Sequence, residues 1–279
     1  MKNTTKYYKV AGITIQVRSE FPISQNTFHP KFKQFEVSGP GQDNVTIYHH
    51  FNLPDMNDKI EADKKQIYHK NQWRIFKTKD SWIFNYTSLS PEDFVNKAVG
   101  VMSNDYKSIH IYTNDLTLKK YQTGEFDALT LFNTDQMIFT KLLCERNGVM
   151  IHSNGFNING NGVLLAGISG SGKSTLSGML KNQGHQILCD DRMFVRKIKD
   201  RFWIFGNWCY GSHPDVSAAK APLNGFLFLE KGTKNRIIEI KQPNMIASRL
   251  LKVIVKPLLD VDGWEKYFTT IKELRKKVP

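Results

Sequence analysis

The sequence predicts an α/β protein in two parts, a β-rich N-terminal domain (1–126) followed by an α/β domain (127–279). Three observations support this. Runs of aromatic and β-branched residues fill the first part, apolar residues recur at helical spacing from Asp127 onward, and a glycine-rich segment, "GISGSGKST", lies between a strand-like and a helix-like stretch.

The overall composition is that of a globular protein. Of the 279 residues, 40% are hydrophobic and 23% are charged, which excludes a disordered chain. No apolar run approaches the roughly 20 residues that span a bilayer. The opening "MKNTTKYYKV" is followed by no apolar stretch, so we expect no signal peptide, no membrane partner and a cytoplasmic protein.

Cysteine content and charge narrow the possible partners. The three cysteines show no C-x-x-C spacing, which predicts reduced, buried thiols rather than disulfides or a zinc site. The net charge is +13, but the lysines are scattered along the chain. We interpret most of this charge as a solvated surface that also suits an anionic nucleotide; nucleic-acid binding is the less favoured alternative.

The N-terminal domain is read as a series of strands. "YYKVAGITIQV", "FKQFEVSG", "NVTIYHHF" and "KSIHIYTN" are each predicted as a strand, and "QWRIFKTKDSWIFNYTS" as a hairpin bending near Lys79. Its histidines (His29, His49, His50, His69 and His110) lack metal-ligand spacing. His49 and His50 are expected on opposite faces of one strand because side chains alternate.

The pattern then changes to alternating helices and strands. "ALTLFNTDQMIFTKLLCERNG" predicts a helix that Thr134 or Asp135 caps and Gly148 ends. Two strands joined by a Gly/Asn-rich turn follow, the second being Val163–Ala166. A helix ending at Gly184 and a strand, "HQILCDDRMFVRK", come next.

The last third predicts a buried strand and two amphipathic helices. The strand is "GFLFLEKG", and the helices are "NMIASRLLKVIVKPLL" and "WEKYFTTIKELRKK". The expected core positions are Leu250, Leu251, Ile254, Phe268 and Ile271.

The glycine-rich segment fits G-x-x-x-x-G-K-[ST] without a mismatch, which a random chain of this length does with a chance on the order of one percent. In such a loop, backbone amides surround phosphate oxygens, Lys173 reaches the β- and γ-phosphates, and the Ser174 hydroxyl binds Mg²⁺. The sequence therefore predicts ATP, or another nucleoside triphosphate, and Mg²⁺. The predicted nucleotide-binding residues are Gly167, Ser169, Gly170, Ser171, Gly172, Lys173, Ser174 and Thr175.

Two consecutive carboxylates, Asp190 and Asp191, follow within one strand–helix unit. A carboxylate at a strand end beside such a loop commonly holds Mg²⁺. With two carboxylates, one can bind the metal and the other can accept a proton. The alternative is that the pair only forms a polar turn that closes the strand. His152, in the strand before the loop strand, would by itself be a core histidine.

The stretch "MIHSNGFNINGNGVLLAGISGSGKSTLSGMLKNQGHQILCDD" resembles the catalytic core of bacterial HPr kinase/phosphorylase. That core is related to phosphoenolpyruvate carboxykinase. The resemblance implies Asp190 as the general base on an acceptor serine, Asp191 and Ser174 as metal ligands, and His152 beside the reacting phosphate. Which aspartate has which task stays open, as do the phosphoryl donor and homo-oligomer formation.

After the aspartates the sequence departs from HPr kinase. "FGNWCYGSHPDVSAAKAPLNGFLFLEKG" is more similar to the HPr-kinase-like proteins of peptide-modification clusters, including kinases of lasso-peptide precursors, which implies a peptide acceptor. Trp208, Tyr210 and His213 are candidates to line an acceptor pocket, the alternative being core packing, and Arg236 is a candidate phosphate contact.

The favoured function is a kinase that transfers the γ-phosphoryl group to a hydroxyl of a peptide, protein or small molecule. Two alternatives stay open: a carboxykinase-like enzyme acting on a small oxyacid, and a non-catalytic nucleotide- or nucleic-acid-binding module.

Overall fold

The computed structural model describes residues 4–53, 64–90, 93, 95–168, 170–209, 215–258 and 260–279. The chain divides into two compact units, Met1–Phe139 and Thr140–Pro279.

The N-terminal unit is built on a nine-stranded mixed sheet in the order β3-β1-β2-β4-β9-β8-β7-β6-β5. The β2–β4 and β4–β9 pairs are parallel, and the other neighbours are antiparallel. The strands are β1 Thr5–Val10, β2 Ile13–Ser19, β3 Glu36–Val37, β4 Asn44–His50, β5 Lys65–Lys70, β6 Trp73–Lys77, β7 Ser81–Thr87, β8 Lys97–Ser103 and β9 Ser108–Tyr112.

Two of the strand predictions for this unit are wrong. "YYKVAGITIQV" is a hairpin, β1–β2, because Ala11 and Gly12 both adopt positive φ (52° and 78°) and form a two-residue turn. The first half of "FKQFEVSG" belongs to a 3-10 helix, Pro30–Phe35, whose first amide is capped by the side chain of His29, and only Glu36–Val37 forms a strand. The hairpin at Lys79 and the opposite orientation of His49 and His50 are both observed.

Helix α1 (Asp115–Thr123) was not predicted, although both of its end signals are local. The Asn114 side chain accepts a hydrogen bond from the Thr117 amide, and Gly124 ends the helix at φ 116°.

The segment after α1 belongs to the N-terminal unit rather than beginning the next domain. His49 Nε2 lies 2.8 Å from the Leu129 carbonyl oxygen, and the Phe132 ring packs 4.9 Å from that of Trp73. These long-range contacts place 127–139 with the first unit, whereas the change to helical spacing of apolar residues predicts the boundary at 126/127. Helix α2 is shorter than predicted, Gln136–Cys144, and Leu131 lies before it at φ 56°.

The C-terminal unit is a six-stranded mixed sheet with helices packed on it. Its order is β11-β15-β14-β13-β10-β12, with β10 also pairing with β11. The strands are β10 Gly148–Ile158, β11 Asn161–Ala166, β12 Gln186–Cys189, β13 Arg192–Ile198, β14 Arg201–Phe205 and β15 Lys220–Phe228; the helices are α3 Lys173–Asn182, α4 Pro243–Val253 and α5 Val261–Lys277.

Strand β10 organises this unit. Its first half pairs with β13, and its second half pairs with β11 through a hairpin turn at Asn159 and Gly160, both at positive φ. The predicted Gly/Asn turn is confirmed, but Gly148 begins β10 rather than ending a helix. The last residue of β11, Ala166, pairs with Ser153 of β10, and the first residue of β13, Arg192, pairs with His152. The loop after β11 and the segment before β13 therefore begin and end at neighbouring positions of β10.

Helices α4 and α5 cover the core with only part of their apolar residues. Leu250, Ile254 and Ile271 are buried as predicted, whereas Leu251 and Phe268 are 45% and 50% exposed. Strand β15 is also only partly buried. Within the described ranges, none of the helices combines the length and apolar character that crossing a bilayer requires. Cys144, Cys189 and Cys209, all among the described residues, are thiols and not disulfide-bonded; Cys144 and Cys189 are buried and Cys209 is half-buried.

Candidate active site

The glycine-rich loop connects the end of β11 to the start of α3, the strand–loop–helix order that the motif requires. Gly172 has φ 101°, where an L side chain is strained, and it caps α3 without a side chain of its own. A Cβ on Gly167 would lie 2.5 Å from Ser171 Oγ and 3.0 Å from the Leu229 carbonyl oxygen. The backbone therefore forms a cradle that only glycine permits at these two positions.

Lys173, the first residue of α3, folds back over this cradle. Its ammonium donates to the carbonyl oxygens of Gly167 (2.7 Å) and Ile168 (3.2 Å). Burial lowers the pKa of Lys173 below its usual range, and the Asp191 carboxylate offsets part of that shift. A positive charge is thus held at the loop by weak acceptors that an anion would outcompete.

The two aspartates lie between β12 and β13, where the strand alternation is relaxed. Asp190 is buried, with 5% of its surface exposed. One oxygen of Asp191 lies 3.2 Å from His152 Nδ1, and the other forms an ion pair with Arg192. Burial would raise the pKa of Asp191, but the hydrogen bond from His152 and the positive charges of Arg192 and Lys173 outweigh it, so this pKa is lowered.

The pairing of β10 with β13 positions His152. It lies directly opposite Arg192, and the Ser153 amide donates to the Asp191 carbonyl oxygen at 3.0 Å. The fold therefore brings together three side chains that are far apart in sequence: His152, Lys173 and Asp191. Arg192 joins them. Sequence reasoning missed it, although it directly follows the aspartate pair.

A second residue that sequence reasoning missed is Asn154, which lies beneath α3. It is fully buried on β10, and its amide nitrogen donates to the Ser177 hydroxyl, which in turn donates to the Lys173 carbonyl oxygen at 2.9 Å. These bonds fasten the first turn of α3 to the strand that carries His152. The buried Ser171 Oγ and Asn154 Oδ1 have no hydrogen-bond partner among the described residues.

The other predicted residues are less closely grouped. Ser174 is half-buried and Thr175 is exposed, both in the first turn of α3; Gly170 is exposed in the loop at φ 75°. Ser169, Tyr210 and His213 lie outside the described residues.

Trp208 and Arg236 differ sharply in exposure. Trp208 is 1% exposed, which matches the core-packing alternative rather than an open acceptor pocket. Arg236 is exposed in the irregular segment after β15, and no contact with Lys173 or Asp191 is described for it.

The donor set suits a nucleotide phosphate and a magnesium ion. The glycine cradle fits a phosphate group, as does the Ser171 hydroxyl, which has no partner in the part of the chain that the structure describes. In the described part of the chain, no three or more His, Cys, Asp or Glu residues form a metal-binding group. A hydroxyl and one or two carboxylates are nevertheless enough for Mg²⁺, which takes its remaining ligands from water and phosphate oxygens.

Comparison with known proteins gives a partial likeness. No protein-family model matches the chain. HPr kinase/phosphorylase from Peptoclostridium acidaminophilum is 26% identical over 144 residues, which cover 48% of this chain and 42% of the relative. The match thus spans about two fifths of the curated relative's length.

Among solved structures, the Hpr(Ser) kinase/phosphatase from Coxiella burnetii matches 46% of this chain and 97% of its own at 19% identity. Its TM-score of 0.27 is too low to carry a structural argument. The chain is distantly similar in sequence to HPr kinase/phosphorylase.

Proposed function

We propose that this chain is a nucleotide-dependent kinase of the HPr-kinase-like type, which transfers a γ-phosphoryl group to a hydroxyl. The main support for the proposal is that Lys173, Asp191 and His152 lie together beside the glycine cradle. Lys173 bonds to the cradle backbone and feels the charge of Asp191, which contacts His152. The distant sequence similarity to HPr kinase/phosphorylase supports the same reaction class and a core of that fold type.

In this proposal the chain binds and orients the donor. The loop amides and the first turn of α3 hold the phosphates of the nucleotide, and Lys173 exchanges its two carbonyl partners for phosphate oxygens. Phosphoryl transfer needs positioning and charge neutralisation more than covalent chemistry. His152, 39% exposed at its side chain and bonded to Asp191, is placed to contact the reacting phosphate.

The aspartates divide the remaining tasks. Mg²⁺, held by Ser174 and Asp191, would neutralise the developing charge on the phosphate oxygens. Asp190 would accept the proton of the attacking hydroxyl as its oxygen bonds to the γ-phosphorus, and the bridging oxygen would leave with the nucleoside diphosphate. The low pKa of Asp191 keeps it ionised, which suits a metal ligand. The reverse assignment of the two aspartates is the alternative that the experiment below separates.

We further propose that the acceptor is a serine of a peptide or protein, as in the HPr-kinase-like proteins of peptide-modification clusters. The segment after Asp191 resembles theirs and departs from HPr kinase.

The test combines nucleotide binding with phosphoryl transfer. A fluorescent ATP analogue measures affinity, and radiolabelled γ-phosphate measures transfer to a panel of serine peptides and small hydroxyl compounds. Lys173→Ala is expected to weaken both by at least about tenfold, whereas Lys272→Ala, which removes an exposed lysine of α5, leaves both unchanged.

Variants of the two aspartates separate base from metal ligand. A general base contributes about 10²–10⁴-fold, so Asp190→Asn should lose that much transfer while keeping nucleotide affinity. Asp191→Asn should lose the dependence of binding on Mg²⁺. Normal turnover by Asp190→Asn would refute its assignment as base, and unchanged nucleotide binding by Lys173→Ala would refute the loop assignment.

A further inference from the structure

The segment between β15 and α4 begins directly at the glycine cradle. The Leu229 amide donates to the Ala166 carbonyl oxygen at 2.7 Å, and the Leu229 carbonyl lies against Gly167. Glu230 is then fixed by an ion pair with Arg249 of α4 at 2.7 Å. The segment is therefore anchored beside the loop at one end and enters α4 at Pro243 at the other.

Between these anchors, residues 231–241 are exposed except for half-buried Ile240. No backbone hydrogen bond of this stretch occurs among the described residues. Its sequence, "KGTKNRIIEIK", is β-prone at its end. Backbone amides and carbonyls that do not bond to one another are available to pair with an extended chain, the mode by which many proteins bind peptides.

The side chains of this stretch are unusual for a solvated loop. Ile237 is 86% exposed and Ile238 is 63% exposed, among the most exposed large apolar residues of the described chain. Lys231 and Lys234 are exposed, and no ion pair involves them among the described residues. Apolar surface rimmed by charge marks an interaction site, and the free cations favour an acidic partner.

We propose that residues 231–241 dock the acceptor peptide. The partner is an extended segment that carries apolar residues for Ile237 and Ile238 and carboxylates for Lys231 and Lys234, with its hydroxyl residue beside the cradle. This inference rests on the proposed kinase function and deepens it by naming the substrate class.

The experiment measures peptide binding by fluorescence anisotropy of three labelled decapeptides. Each has one central serine; the first is flanked by isoleucine and aspartate, the second has lysine for aspartate, and the third has glutamine for isoleucine. We expect the first to bind at least about tenfold more tightly than the other two. Equal binding of all three would overturn the proposal.

Two double variants locate the site. Ile237→Ser/Ile238→Ser and Lys231→Ser/Lys234→Ser should each weaken binding of the first peptide at least about tenfold, and only the second pair should reduce its salt dependence. Val261→Ser and Lys272→Ser remove an exposed apolar residue and an exposed cation of α5 and should leave binding unchanged. Wild-type binding by both double variants would place the peptide elsewhere.

Binding of the fluorescent ATP analogue, measured in parallel, separates this inference from the proposed function. The double variants should bind it as the wild type does, which also shows that they are folded. Nucleotide binding without any preference among the peptides would refute the docking segment alone. Peptide preference without nucleotide binding would refute the kinase.

Discussion

The buried imidazole of His49 makes the stability of the N-terminal unit depend on pH. Its Nε2 lies 2.8 Å from the Leu129 carbonyl oxygen, and its Nδ1 lies 3.3 Å from the Tyr121 hydroxyl. The carbonyl can only accept, so Nε2 carries the hydrogen and Nδ1 accepts from the tyrosine. The neutral ring fits this site, and burial lowers the pKa of His49 from 6.5 to about 3.

The sign and size of the effect follow from that shift. Above pH 6.5 the ring is neutral in both the folded and the unfolded chain. Below pH 6.5 the unfolded chain takes up a proton that the folded unit refuses, so stability falls until the folded pKa near 3 is reached. The loss is about 1.4 kcal/mol for each pH unit, or about 2 kcal/mol between pH 7 and pH 5.

The comparison of His49→Gln with the wild type isolates this contribution from that of the carboxylates. The glutamine variant should be less stable at pH 7, because it loses packing and a hydrogen bond. That deficit should shrink by about 2 kcal/mol at pH 5. Urea unfolding, monitored by hydrogen exchange in peptides from residues 1–139, measures the free energy of unfolding at pH 7 and at pH 5. His69→Gln, which changes an exposed histidine, is the control. An equal deficit at the two pH values would refute the reasoning.

Three further predictions concern the C-terminal unit. Gly167→Ala should disrupt the cradle and weaken binding of the ATP analogue; an affinity equal to that of the wild type would contradict this. Gly178→Ala places its Cβ in open space on α3 and should raise the free energy of unfolding by about 0.5–1 kcal/mol. Leu250→Ala should lower the free energy of unfolding in urea by about 2–5 kcal/mol, and Leu251→Ala should lower it by less than about 0.5 kcal/mol. Similar losses for the two variants would argue against the packing of α4 given above. A thiol reagent at pH 8 should label Cys209 in the folded chain and the two buried cysteines only in denaturant; three fast thiols would contradict their burial.

The features that the sequence predicted well are those with local signals. The β10–β11 hairpin follows from Asn159-Gly160, because asparagine and glycine both tolerate positive φ. The strand–loop–helix order follows from Gly167, Gly170 and Gly172, which lie within six residues and separate the strand from the helix. Even the end of α3 is local, since Gly184 adopts φ 82° just after the helix.

The features that the sequence did not predict depend on contacts between distant residues. Leu250 and Leu251 are equally apolar, and only the crossing of α4 over the sheet decides which of them is buried. Arg192 gains its importance because β13 pairs with β10, which brings it opposite His152. The boundary at Phe139 likewise depends on His49 and Trp73, which lie far upstream of the residues they hold.

The cap of α3 has a thermodynamic consequence. Helix α5 is capped by Asp260, whose carboxylate accepts a hydrogen bond from the amide of Gly263. Helix α3 is capped by Gly172 instead, and it has no acidic residue in its first turn. In the proposed enzyme the nucleotide phosphate takes the part of a capping side chain. The first turn of α3 and the bound donor would then stabilise each other, so that a substitution that frays this turn also lowers nucleotide affinity.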